Sequence, residues 1–478
     1  MAVLPWLLTA TPSTASTSTR ENCLGGLRVL DDYVDRTFPP RSFDWPDTGW
    51  PSPGILRAGT AGLKSASISA WDEAPRKRIT RTLAQRAPQK ATRANTVQAM
   101  NILFVTDHLG YAGGAWHGCT TYFANVLPQL RRTGHDVALV VLREEHSAAA
   151  LLRKEGVTVI SLDAHRASPL PIFTVANWIG RNAVTVVHAT QRESVAIART
   201  LKPFMPLIPI VMHVVDSDPV PPLERIVNRL LPQPDAALCV SAAVRPTAVN
   251  QWGVEKERVR LLHNAIDLAK FKPSAFDVRS RLRAEWGVSR DACVVVSTSR
   301  LTEEKRLDVL IGLIPSVRAR APETVFVFAG NGADMESCRE LAVRLGVIDS
   351  VRFLGLRHDI PDVLAASDVA VMLCLREAFG YSAAEAMAMG IPVAAYAAAG
   401  LTEVVTHDKS GLLAAAGDDA AFAANLVNLL LDPSLRARLG RGASEEAERF
   451  GVKKHAEALV RLYMELALKG ELPRGKAA

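Results

Sequence analysis

Glu377 and Glu385 bracket the stretch AFGYSAA within LREAFGYSAAEAMAMG, residues 375–390. Two carboxylates near the start of one small-residue helix are suited to accepting hydrogen bonds from hydroxyls, because a cis-diol offers two donors to two acceptor oxygens. Gly380, between them, lets the backbone approach a ligand closely, and the N–H groups of the next turn can meet an anion. Glu385 falls among alanines and methionines of a helix that reads as buried, where an unpaired ion would be costly. A functional partner is therefore expected, against the plainer reading of one acid favouring the helix dipole and another exposed to water. Upstream, STSRLTEEKRLDVLI sets Arg300 and Lys305 beyond a strand and at the start of a helix. Helix amides and two cations make a receptor for a diphosphate. The competing reading of that segment is a surface ion-pair cluster with Glu303 and Glu304.

The elements that must position these groups alternate from Met100 onward. Strand-like apolar runs fall at 101–106, 136–142, 184–189, 208–215, 236–241 and 259–265, with amphipathic stretches between them. The runs are continuously apolar, as expected of parallel strands covered on both faces. A polar, charged connection at 271–292 breaks the pattern, and a second series follows at 293–299, 324–330, 350–355, 368–374 and 392–396. The class is α/β: two doubly wound, Rossmann-like domains at 100–275 and 276–450. Residues 451–478 are read as a C-terminal helix crossing back to the first domain, and a tail. Ligands of such sheets bind beyond the carboxyl ends of the strands, which puts the site in the cleft between the domains.

The first 99 residues differ from the rest. They are rich in Ser, Thr, Pro and Trp, basic from 74 to 99, and show no sustained periodicity. They read as a disordered extension, or as sequence upstream of a true start at Met100. MAVLPWLLTA lacks the positive flank of a secretory signal. Residues 1 to 99 hold 13 Lys+Arg against 8 Asp+Glu, which leaves 43 against 41 for the body, so the body's charge calls for no nucleic-acid partner. Six scattered cysteines, without paired spacing, fit a reducing cytoplasm rather than a disulfide framework or zinc ribbon. No apolar run of the length needed to span a bilayer is present.

Taken in order, NILFVTDHLGYAGGA, LCVSAAV, VRLLHNAIDLAKF, SRLTEEKRLDVLI, VFAGNG, VRFLG, REAFGYSAAEAMAMGIPV and GLTEVV resemble the retaining glycosyltransferases of family 4, with the GT-B fold, over about residues 100 to 470. The resemblance implies a glycosyl transfer from a UDP- or GDP-sugar to an acceptor hydroxyl, in cell-surface polysaccharide or glycolipid synthesis, with no cofactor and no metal. It implies Arg300 and Lys305 on the donor diphosphate and Glu377 on sugar hydroxyls, these three being the catalytic set. Phe379, Gly380, Tyr381 and Gly330 would lie by the donor, Glu385 on its ribose, and Gly113 and Gly114 in a loop closing over it. His188 and His213 would face the sugar or acceptor. A lipid-linked acceptor would bring the enzyme to the inner face of a membrane, with the basic Leu130–Arg132 segment assisting. The chain departs from the family at Thr190, where a second histidine is frequent, and at Ala265, Arg306 and Ala378, where glycine is usual.

Three other readings compete. Asp216 and Asp218, in DSDP after a strand, resemble the metal-binding Asp-x-Asp of the other major glycosyltransferase fold. HLGYAGGA with Glu144 suggests a dinucleotide-dependent oxidoreductase, but its glycines read G-x-x-G-G rather than G-x-G-x-x-G. An inactive glycan-binding relative is the third, and the retention of Arg300, Lys305 and both glutamates argues against it.

Overall fold

The computed structural model describes residues 99–110, 116–165, 168–272 and 276–471. The expected extension, up to residue 98, and Gly113 and Gly114 lie outside the described residues. The first lobe is built from β1 (Asn101–Thr106), α1 (Gly118–Arg132), β2 (Asp136–Val141), α2 (Ser147–Lys154), β3 (Thr158–Ser161), α3 (Leu170–Arg181), β4 (Val186–Thr190), α4 (Arg192–Leu201), β5 (Ile210–Val214), α5 (Pro222–Leu230), β6 (Ala236–Cys239) and β7 (Val259–Leu261). The second continues with α6 (Phe276–Glu285), β8 (Val294–Ser297), α7 (Leu307–Arg320), β9 (Val325–Phe328), α8 (Met335–Arg344), β10 (Val351–Phe353), α9 (Ile360–Ala365), β11 (Val369–Met372), α10 (Tyr381–Ala388), β12 (Val393–Tyr396), β13 (Gly411–Ala414), α11 (Asp419–Leu431) and α12 (Pro433–Ala447), before α13 (Val452–Glu471).

Both sheets are parallel. Their orders are β3-β2-β1-β4-β5-β6-β7 and β10-β9-β8-β11-β12-β13. In each, the winding reverses once, between β1 and β4 and between β8 and β11. At such a switch point the loops leaving the two neighbouring strands diverge to opposite faces and open a crevice at the carboxyl edge. The loop after β8 carries Arg300 and Lys305; the loop after β11 carries Glu377. Topology alone thus brings two segments some seventy residues apart in sequence to one crevice.

Continuous burial explains the strand sequences: VVVS, VAVM and VAAY are covered along their whole length. Phe326, Phe328, Ile311, Ile314 and Phe422 fill the second core. The first core is completed from the far end of the chain. Leu459, Val460 and Tyr463 of α13 pack with Phe104, Phe123 and Leu127. The crossing is anchored where the Ile266 amide donates to Phe450 (2.9 Å) and the Val452 amide donates to Ile266 (3.0 Å).

Two strands and one helix depart from the sequence expectation. β3 and β13 are short edge strands with no long apolar run to announce them. The 271–292 stretch, expected as a polar connection, contains α6. Arg279 and Arg283 of that helix each meet the Asp368 carboxylate at 2.5 Å, and Asp368 also accepts the Val294 amide at 2.7 Å. Buried Leu282 and Trp286 add to this anchor. The helix is held to the second sheet largely by ion pairs, which a hydrophobic period does not register.

Candidate active site

The loop leaving β8 is fixed by its neighbour. The Leu301 amide donates to the Asn331 carbonyl (3.1 Å) and the Asp334 amide to the Leu301 carbonyl (3.0 Å). A side chain at Gly330 or Gly332 would run into the backbone of Ser299 or Leu301. Gly330 therefore shapes the Arg300 loop by close backbone approach. A short turn over Glu303–Lys305 follows, and Arg306 adopts a left-handed conformation (φ 51°) as α7 begins.

That turn aims Lys305 across the crevice. Its Nζ lies 2.9 Å from Glu377 Oε2, with both side chains less than one-fifth exposed. Burial pulls the Lys305 pKa down, but the surrounding acidic groups, Glu377 foremost, together outweigh it and the net shift is upward, so Lys305 is a cation at neutral pH. The Cys374 thiol lies 3.7 Å from the same carboxylate and is pushed up to about 12 by burial, which keeps it neutral. Arg300 pairs with Glu304 on the rim. The surface ion-pair reading is accordingly correct for Arg300 in this state, whereas Lys305 is directed inward.

α10 opens directly beneath this pair. Gly380 takes a left-handed conformation (φ 99°, ψ 64°), and a Cβ there would stand 2.7 Å from Leu401 Cδ1, so two constraints select glycine. No side chain caps the helix, which leaves its first amides directed at the crevice. Ser382 Oγ donates to the Thr298 carbonyl (3.1 Å) and ties α10 to the loop after β8. One turn on, Glu385 is half-buried, and no hydrogen bond to its carboxylate is made among the described residues. Burial pushes its pKa up to about 7, with Lys270 pulling the other way. Phe379 is fully buried.

The first lobe meets this site at the start of α1. Tyr381 packs against the first core, its ring about 3.6 Å from where a Cβ on Gly118 would lie, and its hydroxyl is buried without a partner among the described residues. His117 caps α1 through Nδ1, accepting the Cys119 amide at 3.1 Å and the Thr120 amide at 3.2 Å; its Nε2 lies 3.0 Å from His108 Nδ1. Burial, then the neighbouring His108 and Arg300, hold its pKa down at about 3. The Arg300 charge is therefore felt by a neutral imidazole of the opposite lobe. His117 was not singled out from the sequence. The available signal was its place immediately before the amphipathic run GCTTYFANVL.

Residues 116–270 match the model described as Glycosyltransferase Family 4, and residues 278–446 match Glycosyl transferases group 1. Together the two matches span more than half of the chain. It belongs to the family 4 glycosyltransferases. A D-inositol 3-phosphate glycosyltransferase of Streptomyces bingchenggensis is 35% identical over 233 residues, 46% of this chain and 50% of that relative. Another, of Stackebrandtia nassauensis, is 31% identical over 301 residues, 60% of this chain and 65% of its own length. The chain thus spans about half to just under two thirds of these curated relatives. Among solved structures, a glycosyltransferase from Rickettsia africae superposes with TM-score 0.68 at 16% identity, over 77% of this chain and 99% of that one. HepE of Anabaena, solved in complex with UDP, does so with TM-score 0.65 at 23% identity, over 77% and 100%. The fold they share with this chain is GT-B.

Within this family 4 glycosyltransferase the sequence departures find local reasons. Arg306 occupies a left-handed position that glycine usually fills, and its guanidinium lies over the Tyr396 ring at 5.8 Å. Ala265 needs no such conformation; it is buried in the first core, with Asn125 Nδ2 donating to its carbonyl at 3.0 Å.

The two histidines expected to face the sugar or acceptor lie in a buried aromatic cluster. His188 is fully buried, stacked on Phe104 (4.8 Å between centroids), with Nδ1 2.5 Å from the Tyr463 hydroxyl. His213 packs edge-on against Tyr122 at 4.7 Å and against His188 at 5.0 Å. His188 Nε2 and His213 Nδ1 have no partner among the described residues. Burial holds His213 at about 3 and His188 well below its ordinary value. Asp216 and Asp218 form a turn in which the Asp218 amide donates to Asp216 (3.1 Å). Among the described residues, no group of three or more His, Cys, Asp or Glu side chains stands together as metal ligands.

Proposed function

We propose that this chain transfers a glycosyl group from a nucleotide diphosphate sugar to an acceptor hydroxyl, with retention of anomeric configuration and without a metal ion or organic cofactor. One observation carries the reading. A half-buried cation, Lys305, is held 2.9 Å from Glu377 at the switch-point crevice, on the loop that leads into a helix start without a side-chain cap.

The residues divide the work. When the sugar C1–O bond breaks, negative charge grows on the departing diphosphate. Lys305, Arg300 and the first amides of α10 meet that charge with fixed donors, so their interaction strengthens towards the transition state. Glu377, its charge balanced by Lys305, accepts hydrogen bonds from the sugar, and Glu385 clasps the ribose. No second carboxylate stands ready as a covalent nucleophile among these groups. Same-face attack by the acceptor, with its proton passing to the departing phosphate oxygen, balances the step.

The UDP bound to HepE makes UDP-sugars the first donors to try, with GDP-sugars second. The names of the relatives make D-inositol 3-phosphate a first acceptor, beside lipid-linked glycans of the cell surface. No helix among the described residues is long and apolar enough to cross a membrane. A thermal-shift screen against nucleotide sugars, followed by NMR of the transferred anomer, tests the proposal. A raised melting temperature and a retained anomer support it. Nucleotide binding without any turnover would favour an inactive glycan-binding relative, and no binding at all would overturn the site.

A further inference from the structure

SAAV after β6, LHNA after β7 and GLTEVV after β12 have no part in the chemistry above, yet they meet at one carboxylate. Glu403, in the second lobe, accepts the Ala242 amide through one oxygen (3.0 Å) and the Ala243 amide through the other (3.1 Å). His263 Nε2 lies 2.9 Å from the same group. Ala242 and Ala243 open a short helical turn of the first lobe, and Ser241, the residue placed to cap it, makes no side-chain cap hydrogen bond. The opposite lobe supplies the cap.

The carboxylate is wired to the donor loop by two routes. The Gly400 amide, on the same turn as Glu403, donates to the Glu377 carbonyl at 2.9 Å, and a side chain at Gly400 would collide with the Ala378 carbonyl. His263 lies against Phe379 (6.4 Å between centroids) and edge-on to Phe450 (5.7 Å); Phe379 in turn packs edge-on to Tyr381 at 5.3 Å. The Glu403 carbonyl is fixed by Arg449 at 2.7 Å. Burial pulls the Glu403 pKa up, but the two amides and His263 outweigh it and hold the group below its ordinary value, so it stays charged.

We infer that Glu403 is a positioning residue that sets the closure of the two lobes and, through it, the geometry of the Glu377–Tyr381 loop. It acts through that loop and not as a catalytic residue. Its removal lets the lobes part, which lowers the fraction of molecules competent to hold the donor. Only the kinetic part of the test below rests on the proposed transferase activity.

The test uses the full chain carrying Glu403→Ala, Glu403→Gln, or Ala242→Pro, which deletes one amide from the other lobe at a helix-start position that proline tolerates. Hydrogen exchange without any substrate should speed by about tenfold or more at residues 241–245 and also at 377–383, while β1 and β8 keep their protection. With UDP-glucose, or whichever nucleotide sugar the wild type turns over, the donor KM should rise about tenfold with kcat within about threefold. The double variant Glu403→Ala with Ala242→Pro should be no worse than the more affected single variant, because both remove one interaction. Faster exchange confined to 241–245, or an unchanged KM, would mean a purely local anchor and overturn the inference. If Ala242→Pro does not fold, the exchange pattern of Glu403→Gln decides. If the wild type transfers no sugar, the exchange experiment still decides, and only the proposed activity falls.

Discussion

His188 and Tyr463, 275 positions apart in the chain, share a buried contact of 2.5 Å that joins a strand of the first sheet to the last helix. Tyr122 stands beside them and lies 3.3 Å from His455 Nε2, while His455 Nδ1 faces the His263 carbonyl at 2.9 Å. The return of α13 is thus held by a polar network inside an apolar core. Replacing Tyr463 with Phe leaves His188 without either ring nitrogen paired. An unsatisfied buried group costs about 1 to 3 kcal/mol, and the urea midpoint should fall accordingly.

The same cluster sets a pH response. His188, His213 and His455 are held neutral by burial, His213 at about 3 and His455 at about 4, against an unfolded value near 6.5. Depressed folded values mean that the unfolded chain binds more protons on acidification. The stability these groups contribute is complete above about pH 6.5 and is lost progressively as pH falls towards 4. Urea midpoints should be flat from pH 7 to 8 and drop steeply from 6.5 to 5. A flat acid limb would contradict the burial of the cluster.

Lys305→Ala should lower turnover by about two decades or more, the usual loss on deleting one donor to a developing anion. Folding should survive, because Glu377 is partly exposed and water can fill the opened space beside it. Near-normal turnover of the purified variant would remove Lys305 from the chemistry.

Glu385 responds to pH in the opposite direction from the histidines. Its pKa is raised to about 7, so its share of stability is present below its unfolded value near 4.5 and is lost as pH rises through 7. Donor binding favours the carboxylate form. Affinity for a nucleotide sugar, which has no phosphate group titrating in this range, should therefore increase from pH 6 to 8. Glu385→Gln should bind more weakly and show no such slope by calorimetry.

Gly380→Ala tests the helix start. The left-handed conformation and the 2.7 Å approach to Leu401 together should cost about 1 to 3 kcal/mol and displace the first amides of α10. Donor affinity should fall more than for Ala383→Gly, which loosens the same helix without moving its start.

Much of this was legible in the sequence because interior parallel strands announce themselves. VVVS and VAVM are continuous buried strands, and their order puts the loop with Arg300 and Lys305 beside the loop with Glu377 at one switch point. β3 and β13 were not legible, since TVIS holds only two consecutive apolar residues and GLLA opens on a glycine. α6 was hidden because Arg279 and Arg283 anchor it to Asp368, and charge reads as solvent exposure in a linear sequence. His188 and His213 were expected at the ligand for a related reason. A strand-end imidazole has the same letters before and behind it whether it faces a cleft or a tyrosine brought in by the last helix. Glu403 escaped because its partners lie on the other lobe, and His117 because histidine is not among the usual helix-capping residues.

The return of α13 has a consequence for synthesis. The first lobe leaves the ribosome by about residue 270, yet Leu459 and Tyr463, which seal its hydrophobic interior, are made only after the second lobe is finished. At about 5 to 20 residues per second, the earlier half waits on the order of ten seconds or more with an open face. The half translated first is the half completed last, and a premature stop within α13 would damage the beginning of the protein rather than its end.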